Sequence, residues 1–302
     1  MKERKDNNMN QKYANKEIPL VRGKDDIIPC IKERCFAYVY DQNKNNLAHL
    51  LAYILKIDVN IIKDNIVKIS NNQEVKNKKD KQRRMDFVYR IDKLNLNIEL
   101  NLRPKPIKER NMNYLMGLHL NSLNKNTSEG YYHTIQININ NEIVIDTNNE
   151  IDKYYFRNKD GKVYSKNISF YVINIPIIRK KWYTMNEEEK INYKEEYKYL
   201  ISFFDNDLTS LKNIYKGDGI VMDILKRQEE FSSDNKEWVT YREENELENE
   251  KKLEIKMAKD EGIIERNYEI AKNLLSLNVD IDIIIKSTNL TKEEILKIKE
   301  EM

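Results

Sequence analysis

Cysteine is almost missing from this chain: among 302 residues there are two, Cys30 and Cys35. Five positions apart, they make no CxxC pair and no disulfide framework. Thiols this sparse fit a reducing compartment. Glycine and proline are scarce as well, at 7 and 5 residues, which excludes collagen-like and low-complexity classes. No stretch approaches the ~20 apolar residues that a membrane-crossing helix needs. Residues 1–18 are polar and lack the apolar core of a secretion signal. The expectation is a cytoplasmic protein with no membrane partner.

An excess of one charge sign is lacking too. There are 53 basic and 50 acidic residues, for a net charge of +3. A non-specific nucleic-acid coat would carry a larger basic surplus, so any basic contact must be local. Two local runs exist, Lys76 to Arg84 and Arg103 to Arg110, while Glu243 to Glu254 is mainly acidic. His49, His119 and His133 are scattered, with no metal-ligand spacing among them. There is no phosphate-binding Gly-x-x-x-x-Gly-Lys, and Gly217-Asp218-Gly219 reads as a turn. No Ser/His or Cys/His nucleophile signature is present.

What the chain does have is periodicity. Residues 1–23 read as an N-terminal arm, polar and aperiodic. A helix is expected through Ile31, Glu33, Cys35 and Phe36 toward Tyr40. Leu47, Leu50, Leu51, Ile54 and Leu55 then fall on one face of a second helix. From Met85 the pattern switches to period two. Met85, Phe87, Tyr89 and Ile91 alternate with Asp86, Val88 and Arg90. After a four-residue loop, Asp92 to Asn95, a second strand alternates Leu96, Ile98, Leu100 and Leu102 with Asn97, Glu99, Asn101 and Arg103. This predicts a hairpin with one buried face.

Met112 to Leu123 reads as a helix, and Tyr131 to Ile139 and Ile168 to Ile177 as strands. Beyond Trp182 the chain turns helical. Thr184 and Glu187 have capping-box spacing ahead of a stripe of Tyr193, Tyr197, Leu200, Ile201 and Phe204. Ile220 to Phe231 reads as a further helix, and Trp238 to about Ala258 as a long charged one. The end forms a small helical unit lined by Ile270, Ala271, Leu274, Leu275, Ile281, Ile284 and Ile285. Its last helix opens on a capping box at Thr291 and Glu294. Glu293, Glu294, Glu300 and Glu301 on that helix would repel DNA, so protein contact or self-association is the expected role of this unit.

The hairpin concentrates the chemistry. With a four-residue loop, Asp86 faces Asn101 and Val88 faces Glu99, so Asp86, Glu99 and Asn101 share one face. Two nearby carboxylates repel each other, and a hard divalent cation with oxygen preference relieves that repulsion. Spacing alone favours an ordinary hairpin whose polar face meets water.

A resemblance separates the two readings. Asp86 followed by Asn97-Ile98-Glu99-Leu100-Asn101 resembles the core of the PD-(D/E)XK nuclease-family transposases, also called recombination-promoting nucleases. In that family a Glu-x-Gln stands where other PD-(D/E)XK enzymes have Glu-x-Lys. Lys32 to Phe36 is similar to the family's early acidic-x-x-Phe helix, and Leu47 to Leu55 to the helix after it. Arg110, Tyr114 and Gly130-Tyr131 resemble the region behind the active site, and Ile173 to Pro176 the Glu-Leu-Pro strand. Ala271 to Leu275 and Ser287 to Ile295 resemble the family's tail.

The resemblance implies an α/β fold: a restriction-endonuclease-like mixed sheet flanked by helices, with an α-helical C-terminal region. It implies a nuclease domain over 24–182, a helical extension over 183–258 and a C-terminal unit over 259–302. It implies Mg²⁺ or Mn²⁺ held by Asp86, Glu99 and the Leu100 carbonyl, with Glu33 as an outer carboxylate and Asn101 orienting the attacking water. DNA is the implied partner, with Lys79, Lys81, Arg83, Arg84, Arg103 and Arg110 as candidate contacts, and a homo-oligomer could form through the C-terminal helices. The sequence departs from the family at Asn101, shorter than Gln and uncharged, at Ala37, where Lys is common, and at Asn174, where an acid is common. The alternative is therefore a decayed scaffold that binds DNA or protein without catalysis.

Overall fold

The computed structural model describes residues 18–69, 85–102, 107–121 and 133–302. Two compact units divide it, one of residues Pro19–Trp238 and one containing Val239–Met302.

The first unit opens on α1 (Glu33–Phe36), continued by one turn of π-helix over Ala37–Asp41. The leucine-rich helix is α2 (Lys44–Leu55), started by Asn43, whose side chain accepts from the backbone N–H of Asn45 and Asn46. A short α3 (Val59–Asn65), capped by Asp58, was not expected from the sequence, nor was strand β1 (Ile66–Lys68) behind it. Both are too short to show a period.

The hairpin is β2 (Phe87–Ile91) and β3 (Leu94–Asn101), and its loop has two residues, not four. Asp92 takes a left-handed conformation, φ 50°, as two-residue hairpin loops require and as aspartate tolerates. Leu94 and Asn95 therefore join the ladder opposite Ile91 and Arg90. The register moves by two residues, which keeps the side chains of β2 and β3 on their expected faces but changes their partners, while Met85, outside β2, packs with Val88 and Leu118 on the other face from the one expected. Phe87 pairs with Ile98, so Asp86 is in line with Glu99 rather than Asn101.

Helix α4 (Ile107–Asn121) crosses over to β4 (His133–Asn140), parallel to β3. Edge strand β5 (Ile151–Arg157) was not expected, and β6 (Val163–Asn174) begins earlier than its apolar end suggested. The strand expected to reach Ile177 stops at Asn174, because Pro176 lacks an N–H for the ladder and suits the first turn of α5 (Ile175–Thr184). The six strands form one mixed sheet in the order β1-β2-β3-β4-β6-β5.

Both faces of the hairpin are buried, which corrects the expectation of one. One face is apolar. There Phe36 packs its ring 4.6 Å from that of Phe87, and Tyr40 stacks 5.8 Å from Phe203. The helical stretch after the sheet closes this core rather than leaving it. It comprises α6 (Glu187–Tyr197), a 3₁₀ turn over Ile201–Phe203, α7 (Leu208–Ile214) and α8 (Gly219–Ser233). The Cys30 backbone N–H donates to the Ser202 carbonyl at 2.7 Å, and the Ile28 N–H to Ser232 Oγ at 2.8 Å. The box that starts α6 uses Asn186 and Glu189, not Thr184 and Glu187.

The charged helix α9 (Asn235–Ser276) is longer than expected, at 42 residues. Within the second unit, Ala271, Ile284, Leu290, Ile295 and Ile298 form a small core. Helices α10 (Ile281–Thr288) and α11 (Lys292–Glu301) complete it, with the expected capping box at Thr291 and Glu294. Among the described residues no helix is long and apolar enough to cross a membrane.

Candidate functional site

The second face of the sheet is polar and nevertheless buried. Asn95, Asn97, Glu99 and Asn101 project from β3 on the side covered by α4, where Met85, Val88 and Leu118 make an apolar contact. Because β4 runs parallel in register, Thr134, Gln136, Asn138 and Asn140 stand beside them. All eight are buried. Asn97 Oδ1, Asn95 Nδ2 and Gln136 Oε1 have no protein hydrogen-bond partner, although native interiors satisfy most such atoms. A face this polar stabilises little by burial.

Asp86 and Glu99 meet at the head of this ladder. The Leu100 backbone N–H donates to Asp86 Oδ2 at 2.9 Å, and the Asp86 N–H donates to Glu99 Oε1 at 3.2 Å. Asn97 Nδ2 adds a third contact, to Glu99 Oε1 at 3.0 Å. Glu99 is 1 % exposed. Burial, and next the negative charge of Asp86, push its carboxyl up to about 8 against the hydrogen bonds it receives.

Arg110, in the first turn of α4, reaches back to this pair. Its Nη2 lies 3.6 Å from Glu99 Oε2 and donates to Asn101 Oδ1 at 2.5 Å. Asn101 in turn donates from Nδ2 to Asn140 Oδ1 at 2.9 Å. Its amide is thus engaged on both sides, which differs from a group held ready to orient water. Arg110, expected among the DNA contacts, places its partly exposed guanidinium against Glu99 and Asn101. The two-residue loop, not visible in the period-two pattern, is what aligns Asp86 with Glu99.

Glu33 does not join the pair. It is exposed on α1, whose Phe36 packs on the opposite, apolar face of the sheet. Among the described residues no group of three or more acidic, histidine or cysteine side chains could hold a metal ion. A two-carboxylate site remains within the ligand set that Mg²⁺ accepts, which is one or two carboxylates completed by waters and phosphate oxygens. Lys79, Lys81, Arg83, Arg84 and Arg103, like Gly130 and Tyr131, lie outside the described residues.

Asn174 caps β6 through its side chain, donating to the Asn149 carbonyl at 2.8 Å. His119 shares a hydrogen bond with Thr134, and His49 one with Tyr199. Cys30 and Cys35, whose spacing makes no CxxC pair, bring their sulfurs to 3.6 Å inside the core as free thiols. Comparison with family profiles, with curated proteins and with solved structures returns no match to this chain.

Proposed function

We propose that the chain is a metal-dependent DNA endonuclease with a PD-(D/E)XK-type core, of the recombination-promoting nuclease kind. The observation that carries this reading is the contact of Asp86, the residue before β2, with Glu99 on β3, with the Glu99 carboxyl raised by burial and by Asp86. Two acids pressed together at the edge of a buried polar face are costly without a cation, and perturbed carboxylates of this kind concentrate at functional sites. Asp86, Glu99 and the Leu100 carbonyl would hold Mg²⁺ or Mn²⁺. When bound, the cation supplies Lewis-acid stabilisation of charge during phosphodiester hydrolysis.

The chain's own residues do the positioning. Asn97 and the Asp86 N–H fix Glu99, and the Leu100 N–H fixes Asp86. Arg110 supplies, from a helix, the positive charge that Asn101 lacks in the Glu-x-Lys position. A second reading, a non-catalytic DNA-binding scaffold, is favoured by the engagement of the Asn101 amide and by the separation of Glu33 from the acid pair.

The test is supercoiled plasmid incubated with Mg²⁺ or Mn²⁺, beside an EDTA control and Asp86→Asn, which keeps an acceptor for the Leu100 N–H. Nicking or linearisation that disappears in both controls supports the nuclease. A folded protein that shifts DNA but cuts it with neither metal supports the scaffold.

A further inference from the structure

We propose that the β5–β6 ribbon is a docking surface for single-stranded nucleic acid, independent of the acid pair. Residues 151–170 carry Lys153, Arg157, Lys159, Lys162 and Lys166 against Asp152 and Asp160. That is a local surplus of three positive charges. Two of the cations are fixed in advance. Lys153 Nζ sits 5.0 Å from the Tyr155 ring centre and 4.6 Å from that of Tyr171, and Arg157 sits 5.6 Å from Tyr155. Lys153 and Tyr155 stand on the side of β5 opposite Tyr154, so Lys153 is not among the cations that meet phosphates beside that ring.

The same ribbon exposes rings. Tyr154 is 37 % exposed, Phe156 42 % and Tyr164 92 %. Its tip is hydrogen-bonded: Asn158 Oδ1 accepts from the backbone N–H of Asp160 at 3.1 Å and of Lys162 at 2.8 Å, and Gly161 closes the turn at φ 79°. Register shifts flank Phe156, which locally re-aims the strand.

Lysines on an edge strand are a common guard against strand pairing. That accounts for the cations and not for the rings, which would promote the pairing the charges oppose. Unpaired bases offer faces for the rings while their phosphates meet the cations. A duplex hides its base faces, and an acidic peptide has charge without them. A second copy of the chain would set like charges opposite one another along the edge.

The measurement is fluorescence anisotropy with a labelled oligothymidylate of about 20 nucleotides, longer than a typical single-strand site, and with a matched duplex. Buffer with EDTA and low salt keeps cleavage silent, so a failure here is distinct from a failure of the nuclease reading. The full chain should bind the single strand more tightly than the duplex. Tyr164→Ala and Phe156→Ala, both at exposed positions, should each weaken binding about tenfold. Lys162→Gln with Lys166→Gln should lower the slope of log affinity against log salt by about 1.4. Unchanged affinity in the ring variants, or a duplex preference insensitive to them, overturns the proposal. So does a self-associated chain that ignores the oligonucleotide and becomes monomeric on Phe156→Ala.

Discussion

Asp86, just before β2, donates its backbone N–H to Glu99 on β3, and the electrostatics of the two carboxyls set a pH dependence. The Glu99 carboxyl is raised in the folded chain, so its neutral form is the favoured one. The stability this confers is complete below the ordinary glutamate value and is lost as pH rises through about 8. Denaturant unfolding in EDTA should therefore show Glu99→Gln matching the native chain near pH 4 and exceeding it at pH 9 by a few kcal/mol, on the order implied by the linkage relation. A native chain equally stable at both ends of that range would contradict it. Divalent cation should reverse the sign at alkaline pH, raising the Tm of the native chain and not of Glu99→Gln. Cys30 and Cys35 give a second residue-scale expectation. Burial, and next the hydrogen bond with Cys35, push the Cys30 thiol up, so it stays protonated and shielded. A thiol reagent should label neither cysteine in the native chain and both in denaturant.

At the scale of elements, single polar groups join segments distant in sequence. Trp182, at the end of α5, donates from Nε1 to Asp205 Oδ2 at 2.7 Å, and both residues are buried. Asp205→Ala leaves that indole N–H without an acceptor and should cost about 1–3 kcal/mol in denaturant unfolding. In the C-terminal unit, Thr291 and Glu294 exchange the two hydrogen bonds of a capping box. Thr291→Ala should cost about 1 kcal/mol, read as faster amide exchange in α11 and unchanged exchange in the sheet. Elements with a repeated pattern were legible in the chain. The α2 stripe, both hairpin strands and this box lie within a few residues of their expected positions. β1 and α3 were not, because three to seven residues show no period. β5 was missed because its exposed edge position leaves it without an apolar alternation.

At the scale of the molecule, Asp86, Glu99 and Arg110 all belong to the unit of residues Pro19–Trp238. A chain ending at Trp238 should keep metal-dependent plasmid cleavage, and a loss of cleavage in a folded fragment would place part of the activity in residues 239–302. The helices over 187–233 belong to the same unit as the sheet, although their sequence reads as an extension. An amphipathic stripe says that a helix has a partner and is silent about which one.

The sequence by itself determined the leucine-striped helix, the period-two hairpin, the face shared by Asp86 and Glu99, and the capping box of the last helix. Each follows from spacing of 2.0 or 3.6 residues or from local hydrogen bonding. Tertiary structure alone decided the burial of the polar face and the approach of Arg110 to Glu99. It also decided the separation of Glu33 from the acid pair and the meeting of Cys30 with Cys35. Those depend on how sheet, crossover helix and loop close in space, and a two-residue change in loop length alters partners without altering any period.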